Sequence, residues 1–329
     1  MTAAVAVIIV NFNSGGRLAR CVAALERQTF RDFETVVLDN ASTDGSAAVA
    51  SNSIPIRIIR SPENLGFAAG NNRAAEGLAN EWLAFLNPDA YPEPEWLAEL
   101  TDAARRHPSA DAFGSTQIDA FDPTRLDGAG DAYHVFGVPY RGHFGWPASS
   151  APDEGECFAP CAAAALWRRR TFAALGGFDE SFFCYGEDVD LGFRHRLMGG
   201  RAIQAARARV LHEGSGVTGR RSDFTTFHGH RNRIWTWMKN MPAALFWPAL
   251  PFQVLLDLYL LARLSLIGSG PAYRRAIAAA FAGAPRIWRE RGKIQSSRKI
   301  GAAQLAPMLT WSPLKLMRRE ADLRKVNPG

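Results

Sequence analysis

Four places along the chain set a chemically capable side chain directly after an apolar run. Asp39 closes Val36-Val37-Leu38, and Asp89 follows Trp82–Leu86 across Asn87-Pro88. His212 follows Val210-Leu211, and Glu187-Asp188 opens a pattern that puts Val189, Phe193 and Leu197 on one helical face. Ligands of open α/β sheets gather at the carboxyl ends of strands, so polar residues there carry functional weight. A carboxylate at position 39 suits the imide N–H of a uracil or thymine base. Asp89 offers hard oxygen to a divalent cation bridging a diphosphate. His212, ahead of Glu213-Gly214-Ser215-Gly216, is a candidate further ligand through a neutral imidazole nitrogen. Asp188 is placed to act as a general base, taking the proton of an acceptor hydroxyl as a diphosphate departs.

Each of these positions also has a purely structural reading. Ser42, Asp44 and Gly45 form ordinary cap and turn chemistry, and Asn-Pro-Asp is a good turn. Acidic residues are favoured at a helix start, although the acids between Asp179 and Asp190 exceed that need. A lone histidine is more often structural than a ligand.

The elements that must hold these residues alternate. The pattern predicts strands at Val5–Val10, Glu34–Leu38, Ile56–Ile59 and Trp82–Leu86, with helices at Arg17–Gln28, Asp44–Ser51 and Ala68–Leu78. Such alternation spells a parallel α/β sheet. No GxGxxG follows the first strand and no GxxxxGK[ST] is present, so dinucleotide oxidoreductases and P-loop kinases lose their main support. Residues 110–156, rich in Gly, Asp, Pro and aromatics, predict irregular strands and loops over the site. Beyond them a strand at Phe158–Trp167 and helices at Arg169–Leu175 and Asp188–Met198 are expected. The apolar run from Ala3 to Val10 lacks a basic leader and breaks at Asn11, which suits a buried strand better than a signal peptide.

With 47% hydrophobic and 21% charged residues over 329 positions, the chain is a folded protein with one large domain and an appendage. Its four cysteines, at 21, 157, 161 and 184, lack the paired short spacings of zinc ribbons or thioredoxin motifs and read as reduced and mostly buried, which fits a cytoplasmic setting.

In their order, these pieces resemble glycosyltransferase family two with the GT-A fold, most closely its rhamnosyltransferase-like branch. The resemblance rests on Val7–Asn13, Leu38–Ser46, Asn64-Leu65-Gly66-Phe67-Ala68-Ala69-Gly70-Asn71-Asn72, Leu86-Asn87-Pro88-Asp89, Gly177-Phe178-Asp179-Glu180 and Glu187–Leu191. It implies a Rossmann-like, mainly parallel sheet flanked by helices over 1–240, with a helical extension over 241–329. It further implies a nucleotide-diphospho-sugar donor of the dTDP or UDP type. Asp39 would bind the pyrimidine base, and Asn11, Asn13, Asn40, Asn64, Gly66, Asn71 and Asn87 would line the donor site. Asp89 with His212 would hold Mg2+ or Mn2+, and Asp188, with Glu187 beside it, would be the catalytic base of an inverting transfer. The branch name makes L-rhamnose from dTDP-rhamnose the expected sugar, against UDP-galactofuranose, a UDP-hexose or a catalytically silent nucleotide-sugar-binding scaffold. One departure stands out: where the family's metal motif is commonly Asp-x-Asp, Asn87 holds the first position, with a carbonyl oxygen but no charge.

The tail is electrically distinct. Residues 241–329 carry 14 Lys and Arg against 4 Asp and Glu, a net charge of +10 within a total of +6. Met241–Gly268 is strongly apolar yet holds Pro242, Pro248, Pro251, Asp257 and Arg263, so it predicts an interfacial rather than a spanning helix. In the following helix, Pro271–Arg291, Arg274, Arg275, Arg286 and Arg289 accompany Ile277, Phe281, Ile287 and Trp288. This mixture suits an anionic membrane better than nucleic acid and predicts a peripheral protein on the inner face of the cytoplasmic membrane, acting on a polyprenyl-linked or other surface glycan. The same apolar faces would also suit packing on the catalytic domain or a homo-oligomer contact.

Overall fold

The computed structural model describes residues 2–214, 219 and 222–326. Among the described residues the strands are β1 (Val5–Asn11), β2 (Phe33–Asp39), β3 (Ile56–Arg60), β4 (Trp82–Leu86), β5 (Ala90–Pro92), β6 (Ala112–Asp119), β7 (Leu126–Gly128), β8 (Asp131–His134), β9 (Val138–Arg141), β10 (Gly155–Cys157), β11 (Ala164–Arg168) and β12 (Ala202–His212). The main helices are α1 (Arg17–Glu26), α2 (Gly66–Ala75), α3 (Trp96–Arg106), α4 (Arg169–Ala174), α5 (Glu187–Leu197), α6 (Asp223–Asn240), α7 (Ala243–Leu266) and α8 (Gly270–Ser297). The main sheet runs β10-β12-β6-β11-β4-β1-β2-β3. β1 is parallel to β2 and β4, and β11 runs antiparallel between β4 and β6.

Alternation along β1 builds both layers of the core. Val5, Val7 and Ile9 join Leu18, Cys21 and Leu25 of α1 on one side, while Ala6 and Ile8 meet Ala68 of α2 and Leu191 of α5 on the other. A strand buried on both faces must be apolar throughout, and this is why the run reads as continuous rather than alternating. β5 pairs antiparallel with the end of β12, setting Ala90 opposite His212.

Two expectations are corrected. Residues 44–51 form turns rather than a helix, because Asp44 is drawn into capping the N–H groups of Ser46 and Gly15. The strand expected at Phe158–Trp167 is shortened to β11, which begins only at Ala164; β10 ends before it at Cys157, and a turn lies between. The helical extension expected at 241–329 is present as α7, α8 and the short helices after them. After α8 the chain returns, and Thr310 exchanges backbone hydrogen bonds with Tyr133 and Val135 while Arg324 does so with Glu156. Residues 327–329, like Ser215 and Gly216 of the Gly-rich stretch, lie outside the described residues.

Candidate active site

The carboxyl ends of β1 and β2 carry the first group. Asn11 is fully buried, and its amide nitrogen donates to Ser42 Oγ at 3.0 Å and Ser46 Oγ at 2.9 Å, with Asp39 Oδ1 at 3.5 Å; its Oδ1 accepts from Ser14. The Asn11 amide thereby holds the 39–46 loop. Asp39 Oδ1 also accepts from Ser42 N, so the carboxylate is oriented from beneath. Asn13, at φ 45°, accepts from Thr43 N at 2.8 Å.

Asn40 and Asn64 form a second knot. Asn40 donates to Asn64 Oδ1 (2.8 Å) and to the Gly66 carbonyl (3.1 Å), and accepts from Leu65 N (2.8 Å). Gly66 sits at φ +80°, where a Cβ would stand 2.5 Å from the Phe183 ring, so only glycine lets this turn meet the 183–186 loop. Asn71 is buried and donates to Phe67 O of its own helix. Its neighbour Asn72, not singled out from sequence, instead bonds both N and O of Phe178 and docks the Gly177–Glu180 segment.

The β5–β12 pairing creates the second locus. His212 Nε2 faces Asp89 Oδ1 at 3.5 Å, and both residues are buried. On its other side Nδ1 meets Asp127 Oδ2 at 2.7 Å, and Asp127 also pairs with Arg141. Nε2 makes no satisfied hydrogen bond although it is buried. Burial works to lower the His212 pKa, but the hydrogen bond to Asp127 and the neighbouring Asp89 carboxylate outweigh it and raise the pKa. A histidine with one nitrogen fixed by a carboxylate and the other bare beside a second carboxylate fits the ligand set of a divalent cation. Asn87, on the same turn, presents a buried Oδ1 that also lacks a hydrogen bond.

Asp188 lies in the first turn of α5, after a loop with Gly186 at φ +82°. Its Oδ2 accepts from Ala162 N at 3.0 Å and its Oδ1 from Val189 N at 2.8 Å. The next residue, Ala163, accepts at its carbonyl from Asn87 N at 2.9 Å. Two consecutive residues in the turn before β11 thus tie the Asn87-Pro88-Asp89 turn to Asp188. Glu187 is buried with an unbonded Oε2, and burial, aided by Asp188, raises its carboxyl well above the usual range. Of the other acids near this helix, Asp179 and Asp190 pair with Lys239 and are structural.

Asp131 of β8 was missed by sequence reading. One carboxylate oxygen of Asp131, one of Asp188 and the Cys161 Sγ lie within 4.8 Å of one another. Burial and then Asp188 push the Asp131 carboxyl up to about 8, while Arg141 opposes the shift. Asp131 also feels Asp127, so the His212 and Asp188 groups share one electrostatic environment. Nothing in the local sequence marks Asp127 or Asp131; their short strands lie in the irregular middle region and reach the site only through tertiary pairing.

A sheet of this order, with acids following β2 and β4 and Asp188 at the start of α5, has the GT-A glycosyltransferase fold. The family model described as Glycosyl transferase family 2 matches residues 6–170, and the chain belongs to this family. The N-acetylglucosaminyl-diphospho-decaprenol L-rhamnosyltransferase of Mycobacterium tuberculosis is 31% identical over 251 residues, covering 67% of this chain and 79% of that one. Among solved structures, the mannosyltransferase PcManGT of Pyrobaculum calidifontis with GDP-Man and Mn2+ aligns with a TM-score of 0.55 at 18% identity, covering 89% of this chain and 85% of that one. TarS of S. aureus in complex with UDP-GlcNAc aligns with a TM-score of 0.53 at 14% identity, covering 96% and 92%. At these identities the structures establish the shared fold.

Proposed function

We propose that the chain is an inverting, metal-dependent rhamnosyltransferase that moves L-rhamnose from dTDP-rhamnose to a hydroxyl of a polyprenyl-linked saccharide. The observation carrying the reading is the tie through Ala162 and Ala163 that holds Asp188 against the Asp89 turn. It sets a proton acceptor beside a locus suited to a diphosphate. Asp39 receives the base, with its carboxylate oriented by Ser42 N. Asp89 and His212 hold the cation, and Asp127 keeps the imidazole turned. A bound Mg2+ or Mn2+ neutralises charge developing on the leaving diphosphate. Asp188 takes the acceptor proton as the hydroxyl oxygen attacks the anomeric carbon from the face opposite the diphosphate, giving one displacement and inversion. The rhamnosyl donor and polyprenyl acceptor are drawn from the mycobacterial relative, and the cation from the Mn2+ in the mannosyltransferase structure.

The test is a donor panel of dTDP-rhamnose, UDP-galactofuranose and UDP-hexoses with a polyprenyl-diphospho-N-acetylglucosamine acceptor, run in EDTA, Mg2+ and Mn2+, with product anomers read by NMR. Transfer from dTDP-rhamnose alone, inverted and abolished by EDTA, is expected. Preference for a uridine donor, retention, or full activity in EDTA overturns the corresponding element.

A further inference from the structure

Of the large apolar side chains left exposed on the described residues, all but Phe121 lie at or after Trp247. Most belong to α7. One stripe of this helix, Phe246, Ala249 and Gln253, is buried against the protein, with Phe246 stacked on Trp237 at 4.1 Å. Asp257 continues the stripe, clasped by Arg233 of α6 and by the Tyr273 hydroxyl of α8 at 2.8 Å. The opposite face presents Trp247, Val254, Leu255, Leu258, Tyr259 and Leu266, and its single charge is Arg263. Leu266 is 88% exposed, a state that water alone does not favour.

What covers this face is indicated by charge. Phe281 and Trp288 of α8 extend the apolar surface, and exposed Arg274, Arg275 and Arg289 stand on the same helix. An apolar face accompanied by arginines repels a second copy of itself and attracts an anionic sheet of headgroups. α7 has the length and composition to cross a bilayer, but crossing would strip Asp257 from Arg233 and Tyr273 and carry it into hydrocarbon. Phe252 stacks on Phe136 at 4.7 Å, beside the strand that carries Asp131, so the apolar face runs on to an element of the catalytic site.

We propose that the outward face of α7, with Phe281 and Trp288, docks the protein on an anionic bilayer and lies in the headgroup–acyl boundary without spanning it. This placement is independent of which sugar is transferred.

The experiment is flotation of the intact protein with vesicles of phosphatidylcholine alone or mixed with phosphatidylglycerol, across ionic strength. Expected is binding that needs phosphatidylglycerol, weakens with salt and is reversed by alkaline carbonate. The double variant Leu255→Glu/Leu258→Glu should lose about a hundredfold in partitioning, since each leucine withdrawn from the acyl boundary forfeits about tenfold. Reversal of Arg263, Arg274 and Arg289 to Glu, which leaves the apolar face intact, should cost about fivefold per residue. Phe121→Glu, remote from the face, should float as wild type. Absence of flotation at low salt, wild-type binding by both the leucine and arginine variants, or a dimer in sedimentation that ignores vesicles overturns the docking. Carbonate-resistant insertion overturns the interfacial placement.

Discussion

Gly66→Ala tests how the donor-side turn is coupled to the base. At φ +80° an alanine costs about 1–2 kcal/mol in backbone conformation alone. Its Cβ would also stand 2.5 Å from Phe183 Cδ2 and 2.6 Å from Phe183 O, and that carbonyl accepts from Phe67 N and Ala68 N. The 182–185 loop has little room to retreat, because Asn232 Nδ2 donates to the carbonyls of Phe182, Cys184 and Tyr185 at 2.9, 2.9 and 2.7 Å. Strain and clash together give about 2–4 kcal/mol, and a fall in Tm of about 3–6 °C. The displaced loop leads directly into Glu187-Asp188, so kcat should drop by about tenfold to a hundredfold at low temperature, where the variant remains folded. Differential scanning fluorimetry and single-turnover transfer measure both. A variant with wild-type Tm and wild-type kcat would refute the coupling.

Two further outcomes follow from the buried acids. Asp127→Asn removes the charge that fixes His212 Nδ1 and should weaken Mn2+ binding by about tenfold to a hundredfold, read by electron paramagnetic resonance; unchanged affinity would show that His212 is oriented by something else. Asp131 ionises near 3.8 when unfolded and near 8 when folded, so as pH rises between those values the unfolded state sheds its proton first and wild-type stability falls. Asp131→Asn lacks this loss, so its Tm relative to wild type should climb between about pH 4 and about pH 8, and a pH-independent difference would contradict the raised carboxyl.

Local sequence carried the sheet well because β1, β2 and β4 are buried on both faces and must be apolar along their length. Asp39 and Asp89 were legible for the same reason, as polar residues ending such strands. Asn11 and Asn71 show the limit of that inference. A strand-end or helix-start asparagine can serve ligand or backbone equally, and here the backbone and neighbouring hydroxyls take both amides. The break between β10 and β11 was hidden inside one apolar run, yet it frees Ala162 and Ala163 to join the Asp89 turn to Asp188. Asp127 contacts His212 across 85 residues of sequence, a distance over which local pattern carries no information.

The assignment of Asp188 as the base bears the most weight, and Asp188→Asn tests it directly. The amide keeps the shape of the side chain and can still accept from Ala162 N, so folding and donor binding should be preserved. It cannot take the acceptor's proton. Single-turnover transfer should fall by about a hundredfold or more while the donor dissociation constant from calorimetry stays at the wild-type value. Wild-type turnover by a folded Asp188→Asn protein would contradict the account.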